Sequence, residues 1–193
     1  MLDTYARKYI QPAVDKTADI LLDNGLTANG VTHIAFVIGI SAGPLIYFDQ
    51  PYWAVFALWL SGFLDVVDGT MARKTKPSPW GTLLDITFDR LVEIGIILGL
   101  AFRFPDAAWA LLLLSGTIVV SMTVFMTVGA LSEHRGVKSF YYQAGLAERS
   151  EGFILFTLMT LFSTHLTAIT LIFFAIQVIT ISQRLLEARR ILK

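Results

Sequence analysis

The chain has 193 residues, 55% of them hydrophobic and only 16% charged, with a mean hydropathy of +0.64. A soluble domain keeps about a quarter of its residues charged, so this composition excludes one. Fifteen basic and fifteen acidic residues leave no net charge to draw nucleic acid. The absence of cysteine removes disulfides, thiolate metal sites and cysteine nucleophiles. A spanning helix needs about 20 apolar residues. The length therefore suits an all-α integral membrane protein of six transmembrane helices forming one membrane domain over residues 1–193, with the helix bundle at 31–187.

Residues 1–28 form a juxtamembrane segment. Within it Leu2, Ala6, Tyr9, Ile10, Ala13, Val14 and Leu21 recur at helical spacing among charged residues. This is an amphipathic helix, bent near Pro12, that lies in the membrane interface or packs on the protein's own cytoplasmic face. Apolar runs then predict spans over 31–48, 52–73, 81–104, 107–131, 152–162 and 166–186, the fifth being short. Asp49-Gln50-Pro51 and Pro105-Asp106 are turns, and Pro77 and Pro79 make 74–80 a loop. A polar loop covers 132–150, and a basic tail follows the last span. Arg7, Lys8, Lys16, Arg73, Lys74, Lys76, Arg135, Lys138, Arg149, Arg184, Arg189, Arg190 and Lys193 fall on one side of this arrangement, and only Arg103 on the other. The positive side faces the cytoplasm. Both termini and any site near Arg73 belong there.

Four aspartates stand where membranes disfavour them. Asp65 and Asp68 lie near the end of the second span, Asp85 and Asp89 near the start of the third. Each intramembrane carboxylate costs at least about 2.5–3.5 kcal/mol. Separations of three and four residues put each pair on one helix face, and helices joined by a short loop are antiparallel neighbours, so the pairs can meet. Arg73, Lys74 or Arg90 can pair with some of them. Two divalent cations, Mg²⁺ or Mn²⁺, match a charge of −4 and prefer oxygen ligands; two metals together clamp a phosphoryl transfer. Gly69 and Gly81 let backbone approach a ligand closely. Arg73, at the cytoplasmic mouth, can fork onto phosphate.

Asp65, Asp68, Gly69, Ala72, Arg73, Gly81, Asp85 and Asp89, spaced over 25 residues, resemble the signature of the CDP-alcohol phosphotransferase family. Leu26–Thr32 resembles the segment before the family's first span, with Ala28 where a proline is usual. The resemblance implies transfer of a phospho-alcohol group from a CDP-linked lipid, CDP-diacylglycerol in most small relatives, to the hydroxyl of a small polar alcohol, with release of CMP. It implies that Asp65, Asp68, Asp85 and Asp89 bind two metals and that Asp89 is also the catalytic base. It assigns Asn29, Thr32, Gly69, Ala72, Arg73, Ser78 and Gly81 to the CDP donor; Ser78 can equally be a turn serine between two prolines.

For the acceptor it points to Arg149 and Arg184, as in relatives that use inositol phosphate. Gly129 and Leu131 stand where those relatives carry basic residues, and Arg135 or Lys138 can substitute. A phosphorylated polyol, inositol phosphate or glycerol-3-phosphate, is the acceptor class this implies. Glu93 tunes the site or pairs with Arg90, the simpler role. Gly95 and Gly99 offer a small-residue face for close packing within the subunit, and because relatives dimerise a homodimer stays open. The alternative from another class is an intramembrane divalent-cation transporter or channel, which requires polar residues through the full depth of the spans. Residues 55–60, 94–101 and 111–114 carry no charge. A membrane prenyltransferase has its two aspartate motifs far apart in sequence rather than across one loop.

Overall fold

The computed structural model describes residues 2–132, 146 and 149–192, with side chains from Tyr9 onward, and contains no strand among them. The residues group into two compact units, Leu2–Pro105 and the chain from Asp106 on.

In the first unit, α1 (Leu2–Asp23) continues unbroken through Pro12. It ends where Gly25 adopts φ +79. The Gly25 N–H reaches Leu22 O at 2.9 Å and the Leu26 N–H reaches Leu21 O at 3.0 Å, the two bonds of a Schellman stop. Val14 and Ala18 are fully buried and share one core cluster with Val31, Val67 and Met71. The face of α1 that carries Val14 and Ala18 therefore packs on the protein's own helices, chiefly α4 (Pro51–Lys74), while Tyr9, Ile10 and Ala13 of the expected stripe are exposed. Lys74 Nζ also bonds Asp19 Oδ1 at 2.6 Å, an exposed pair that adds little beside the buried face.

The first predicted span begins earlier than expected and is not one helix. Thr27 Oγ1 accepts the Gly30 N–H at 3.1 Å and starts α2 (Ala28–Ile40), which gives way at Ser41 to α3 (Ala42–Tyr47). Pro44 explains the break: it has no N–H to offer the Ile40 carbonyl, and its ring crowds that oxygen. The Ser41 hydroxyl donates to Ile38 O at 2.6 Å, which occupies one acceptor at the joint.

Between α4 and α5 (Pro79–Arg103) only residues 75–78 are non-helical, fewer than the expected loop of 74–80. Pro79 occupies the first helical position, where a missing N–H is harmless, and Ser78 Oγ accepts the Gly81 N–H at 3.0 Å. Further along, α5 packs on both α2 and α3. A Cβ on Gly43 would stand 2.3 Å from Gly95 O, and one on Gly99 would stand 2.4 Å from Gly43 O. The two backbones touch, so Gly95 and Gly99 serve packing within the chain. At the end of the unit away from Lys74, Arg103 Nη2 pairs with Asp49 Oδ1 at 2.6 Å.

The second unit contains α6 (Ala108–Leu131), α7 (Arg149–Leu161) and α8 (Leu166–Ile191). α8 packs on both of the others, with Phe156 edge-on to Phe173 at 5.3 Å. Thr170 and Thr180 are fully buried in α8, and their hydroxyls donate to Leu166 O and Ile176 O, which makes them tolerable in an apolar core. Among the described residues, four stretches are long and apolar enough to cross a membrane: Ala28–Tyr47, Pro51–Lys74, Pro105–Leu131 and Ser163–Ile191. Six were expected. α5, at about 37 Å, has the length but carries Asp85, Asp89, Arg90 and Glu93 within it. α7 has only 13 residues, about 20 Å.

Candidate active site

α2 packs against both α4 and α5 and so holds the two acidic helices on one wall. Carboxylate oxygens of Asp65, Asp68 and Asp85 lie within 4.8 Å of one another. Asp68 is 5% exposed; Asp65 and Asp85 are half-buried. Two full charges 4.8 Å apart repel by about 3 kcal/mol at an effective dielectric of about 20. A site that holds three of them needs a counter-charge. Oxygens bound to one ion at about 2.0–2.6 Å can lie at most about twice that far apart, so the spacing of this trio fits a single divalent cation. Asp89 is half-buried one turn further along α5, about 6 Å up the axis, and is not one of the three.

The donor-side candidates converge at the mouth of the same unit. A Cβ on Gly81 would meet Asn29 Oδ1 at 2.9 Å and Ser78 Oγ at 3.2 Å. Glycine at 81 therefore leaves room for an asparagine 52 positions earlier in the chain. Ser78 is the N-cap of α5, the turn role open to it from sequence. Thr32 is buried, and its hydroxyl donates to Ala28 O at 3.0 Å, so it shapes the first turn of α2. Arg73 is exposed and Ala72 half-buried beside it. The Arg73 guanidinium runs back along α4, 3.5 Å from where a Gly69 Cβ would stand, and its Nη2 donates to Thr70 Oγ1 at 2.7 Å. Thr70 was not singled out by motif, although its place three residues before Arg73 on one helix face is a readable signal. Glu93 accepts from Arg90 Nη1 at 2.5 Å, the pairing expected of it.

In the second unit Arg184 is only 8% exposed. Its Nη1 donates to Ser121 Oγ at 2.9 Å and Ser121 O at 3.2 Å, and the guanidinium lies 4.9 Å from the Phe125 ring centre. Sequence reasoning missed Ser121 because nothing local ties it to a residue on α8. Arg149 opens α7 and lies over Phe153 at 5.4 Å. Arg135 and Lys138 lie outside the described residues. Gly129 is buried, and Leu131 is exposed at the end of α6.

Residues 25–183 match the sequence model of the CDP-alcohol phosphatidyltransferase family. The chain belongs to that family. It is 31% identical over 193 residues to the archaetidylinositol phosphate synthase of Pyrococcus horikoshii, covering 98% of this chain and 97% of the relative. It is 30% identical over 174 residues to inner membrane protein YnjF of Escherichia coli, covering 84% of this chain and 82% of the relative. Among solved structures it resembles the phosphatidylinositol phosphate synthase of Mycobacterium tuberculosis. The form with CDP-DAG bound superposes with a TM-score of 0.74 at 24% identity, covering 91% of this chain and 92% of that one. The form in complex with manganese and citrate gives 0.76 at 23%, covering 91% and 88%. At those identities the likeness is one of fold. As a CDP-alcohol phosphatidyltransferase the chain is a membrane-embedded phosphotransferase of phospholipid synthesis, and its clustered carboxylates belong to an enzyme rather than to a transporter or channel.

Proposed function

We propose that this enzyme transfers the phosphatidyl group of CDP-diacylglycerol to a hydroxyl of a small phosphorylated polyol, inositol phosphate foremost, and releases CMP. The observation that carries the reading is the trio Asp65, Asp68 and Asp85 on facing helices, with Arg73 further along the helix that carries two of them. Inositol phosphate is supported by the named activity of the Pyrococcus relative, and the lipid donor by the ligand of the Mycobacterium structure.

Asp65, Asp68, Asp85 and Asp89 would hold two divalent cations, Mg²⁺ or Mn²⁺, which when bound polarise the diphosphate and offset its charge. The manganese of the Mycobacterium structure supports that choice. Asn29, Gly81 and Ser78 accommodate the nucleotide, with Thr32 and Ala72 shaping the walls, and Arg73 grips the diphosphate across Gly69. Asp89 takes the proton of the acceptor hydroxyl. That oxygen bonds to the lipid-bearing phosphorus while the bond to the CMP oxygen breaks, and CMP carries away the electron pair. Arg149 and Arg184 draw the acceptor phosphate, helped by Arg135 or Lys138.

Six crossings follow if α5 and α7 also traverse the bilayer. The length of α5 and its packing on the two-part helix Ala28–Tyr47 support the former. Both termini and the site then face the cytoplasm, as the lysine and arginine distribution supports, and α1 lies at the interface with Tyr9 outward. The single family match across residues 25–183 supports one membrane domain, and a homodimer is compatible with it.

The test is CMP release by purified protein from CDP-diacylglycerol, with inositol phosphate, glycerol-3-phosphate, inositol and serine as acceptors and a chelator control. Chelator-sensitive release with inositol phosphate is expected. Release that ignores the chelator, or none with a phosphorylated polyol, overturns the proposal.

A further inference from the structure

The seam between α2 and α5 changes from polar to apolar with depth. At its mouth the Asn29 side chain faces Gly81. One turn further in, about 6 Å, His33 Nδ1 lies 2.6 Å from Asn29 O. A carbonyl only accepts, so Nδ1 carries the proton and the ring is held in one orientation. The ring stands edge-on to Phe88, centroids 5.3 Å apart at 78°. Phe88 in turn stacks on Phe36 at 4.2 Å and 19°. His33 nevertheless remains exposed, beside Ile34 and Val37, which are 45% and 64% exposed. With Nδ1 committed, Nε2 is the ring atom left to meet a ligand, as an acceptor in the neutral ring and a donor in the charged one.

Asn29 O satisfies Nδ1; on a spanning segment the second ring nitrogen calls for a polar partner as well, and none of the roles above uses it. We infer that His33, as the charged ring, donates from Nε2 to an ester or phosphoester oxygen in the lipid-side half of the CDP-linked donor, at the linkage between phosphate and hydrocarbon, and that the Phe36–Phe88 stack receives the first carbons of the chains. A nucleotide seated at Asn29 and Gly81 must send its lipid inward. The order Asn29, His33, Phe36 along α2 matches the order nucleotide, linkage, hydrocarbon along such a donor. The inference rests on the CDP-lipid reading above.

Two substitutions separate the ring nitrogens. Asparagine at 33 reproduces the Nδ1 position, and glutamine the Nε2 position. The protein is studied in phosphatidylcholine nanodiscs, with KM for CDP-dioleoylglycerol read from CMP release and binding of lipid-free CDP read by calorimetry. His33→Asn should raise KM about five- to tenfold, the loss of one hydrogen bond of ordinary strength, and leave CDP binding unchanged. His33→Gln should restore KM. Where His33→Asn does not fold, His33→Phe keeps the edge contact on Phe88 and should raise KM equally. If His33 only steadies Asn29 and Phe88, CDP binding weakens together with KM and asparagine is the milder change; that result overturns the inference, as does an unchanged KM. If wild-type protein releases no CMP, the donor reading fails by itself. Binding of CDP-dioleoylglycerol to wild type and His33→Asn then decides this inference, and equal affinities refute it.

Discussion

Replacing Asp85 with asparagine tests the charge argument most directly, because it predicts opposite signs with and without metal. The three carboxylates lie within 4.8 Å of one another, and each ionised pair repels by about 3 kcal/mol at a dielectric of about 20. Asp85→Asn removes two of the three pairs, about 6 kcal/mol on the same scale. Proton uptake and side-chain rotation relieve much of this in the metal-free protein. If about 2 kcal/mol survives, the chain should gain about 4–8 °C in Tm. The same substitution removes a charged ligand, so the gain in Tm on adding metal should shrink or vanish. Thermal unfolding in detergent, first with chelator and then over a Mn²⁺ titration, reads both effects. A metal-free Tm that falls, together with a Mn²⁺ response as large as wild type, would refute the reasoning.

Asp89 stands one turn away from that trio, so Asp89→Asn should keep the part of the Mn²⁺-induced rise in Tm that the trio supplies and lose the part due to a second cation, while turnover falls about 10²- to 10⁴-fold, read as CMP release. Arg73→Ala should raise KM for the CDP donor about tenfold or more, because a charge-assisted fork is lost. Thr70→Val, which removes only the hydroxyl that Arg73 Nη2 bonds, should move KM the same way by less. Gly99→Ala would place its Cβ 2.4 Å from Gly43 O, a backbone atom that cannot rotate aside. It should cost about 1–3 kcal/mol, seen as a lower Tm, and unchanged stability would mean that α3 and α5 are not in contact.

The helix of α1 was legible because apolar residues repeating every three to four positions have one physical meaning, yet of those singled out with described side chains only Val14 is fully buried, and Ala18 was missed. What covers the apolar face was not legible, since lipid and protein satisfy it alike. The break at Ser41 escaped notice inside an unbroken apolar run. Hydropathy averages over about 20 residues, whereas Pro44 acts on one hydrogen bond. Pro77 and Pro79 look equivalent in a string, yet Pro79 occupies the single helical position that suits proline, and α5 starts two residues earlier for that reason. Asn29 with Gly81 and Ser121 with Arg184 were hidden for a different reason. Each pair joins residues more than 50 positions apart, and only packing decides which turns meet.

The carboxylates were legible because a four-residue linker leaves little freedom. Asp68 lies six residues before the end of α4, and Asp85 six residues after the start of α5, so both sit about 9 Å from the linker. Asp65 and Asp89 lie nine and ten residues from it, about 14–15 Å. Antiparallel helices thus carry two acidic levels about one turn apart, each with one carboxylate from either helix. An insertion of one residue in the linker changes the offset by no more than the length of that residue. An insertion within either helix rotates one pair by about 100° and separates the levels. Activity should therefore survive one added glycine between Lys76 and Pro77 far better than one added alanine between Thr70 and Met71, which turns Asp65 and Asp68 together away from α5. Equal loss in both variants, measured as CMP release at matched protein levels, would show that the facing levels are not what the chemistry uses.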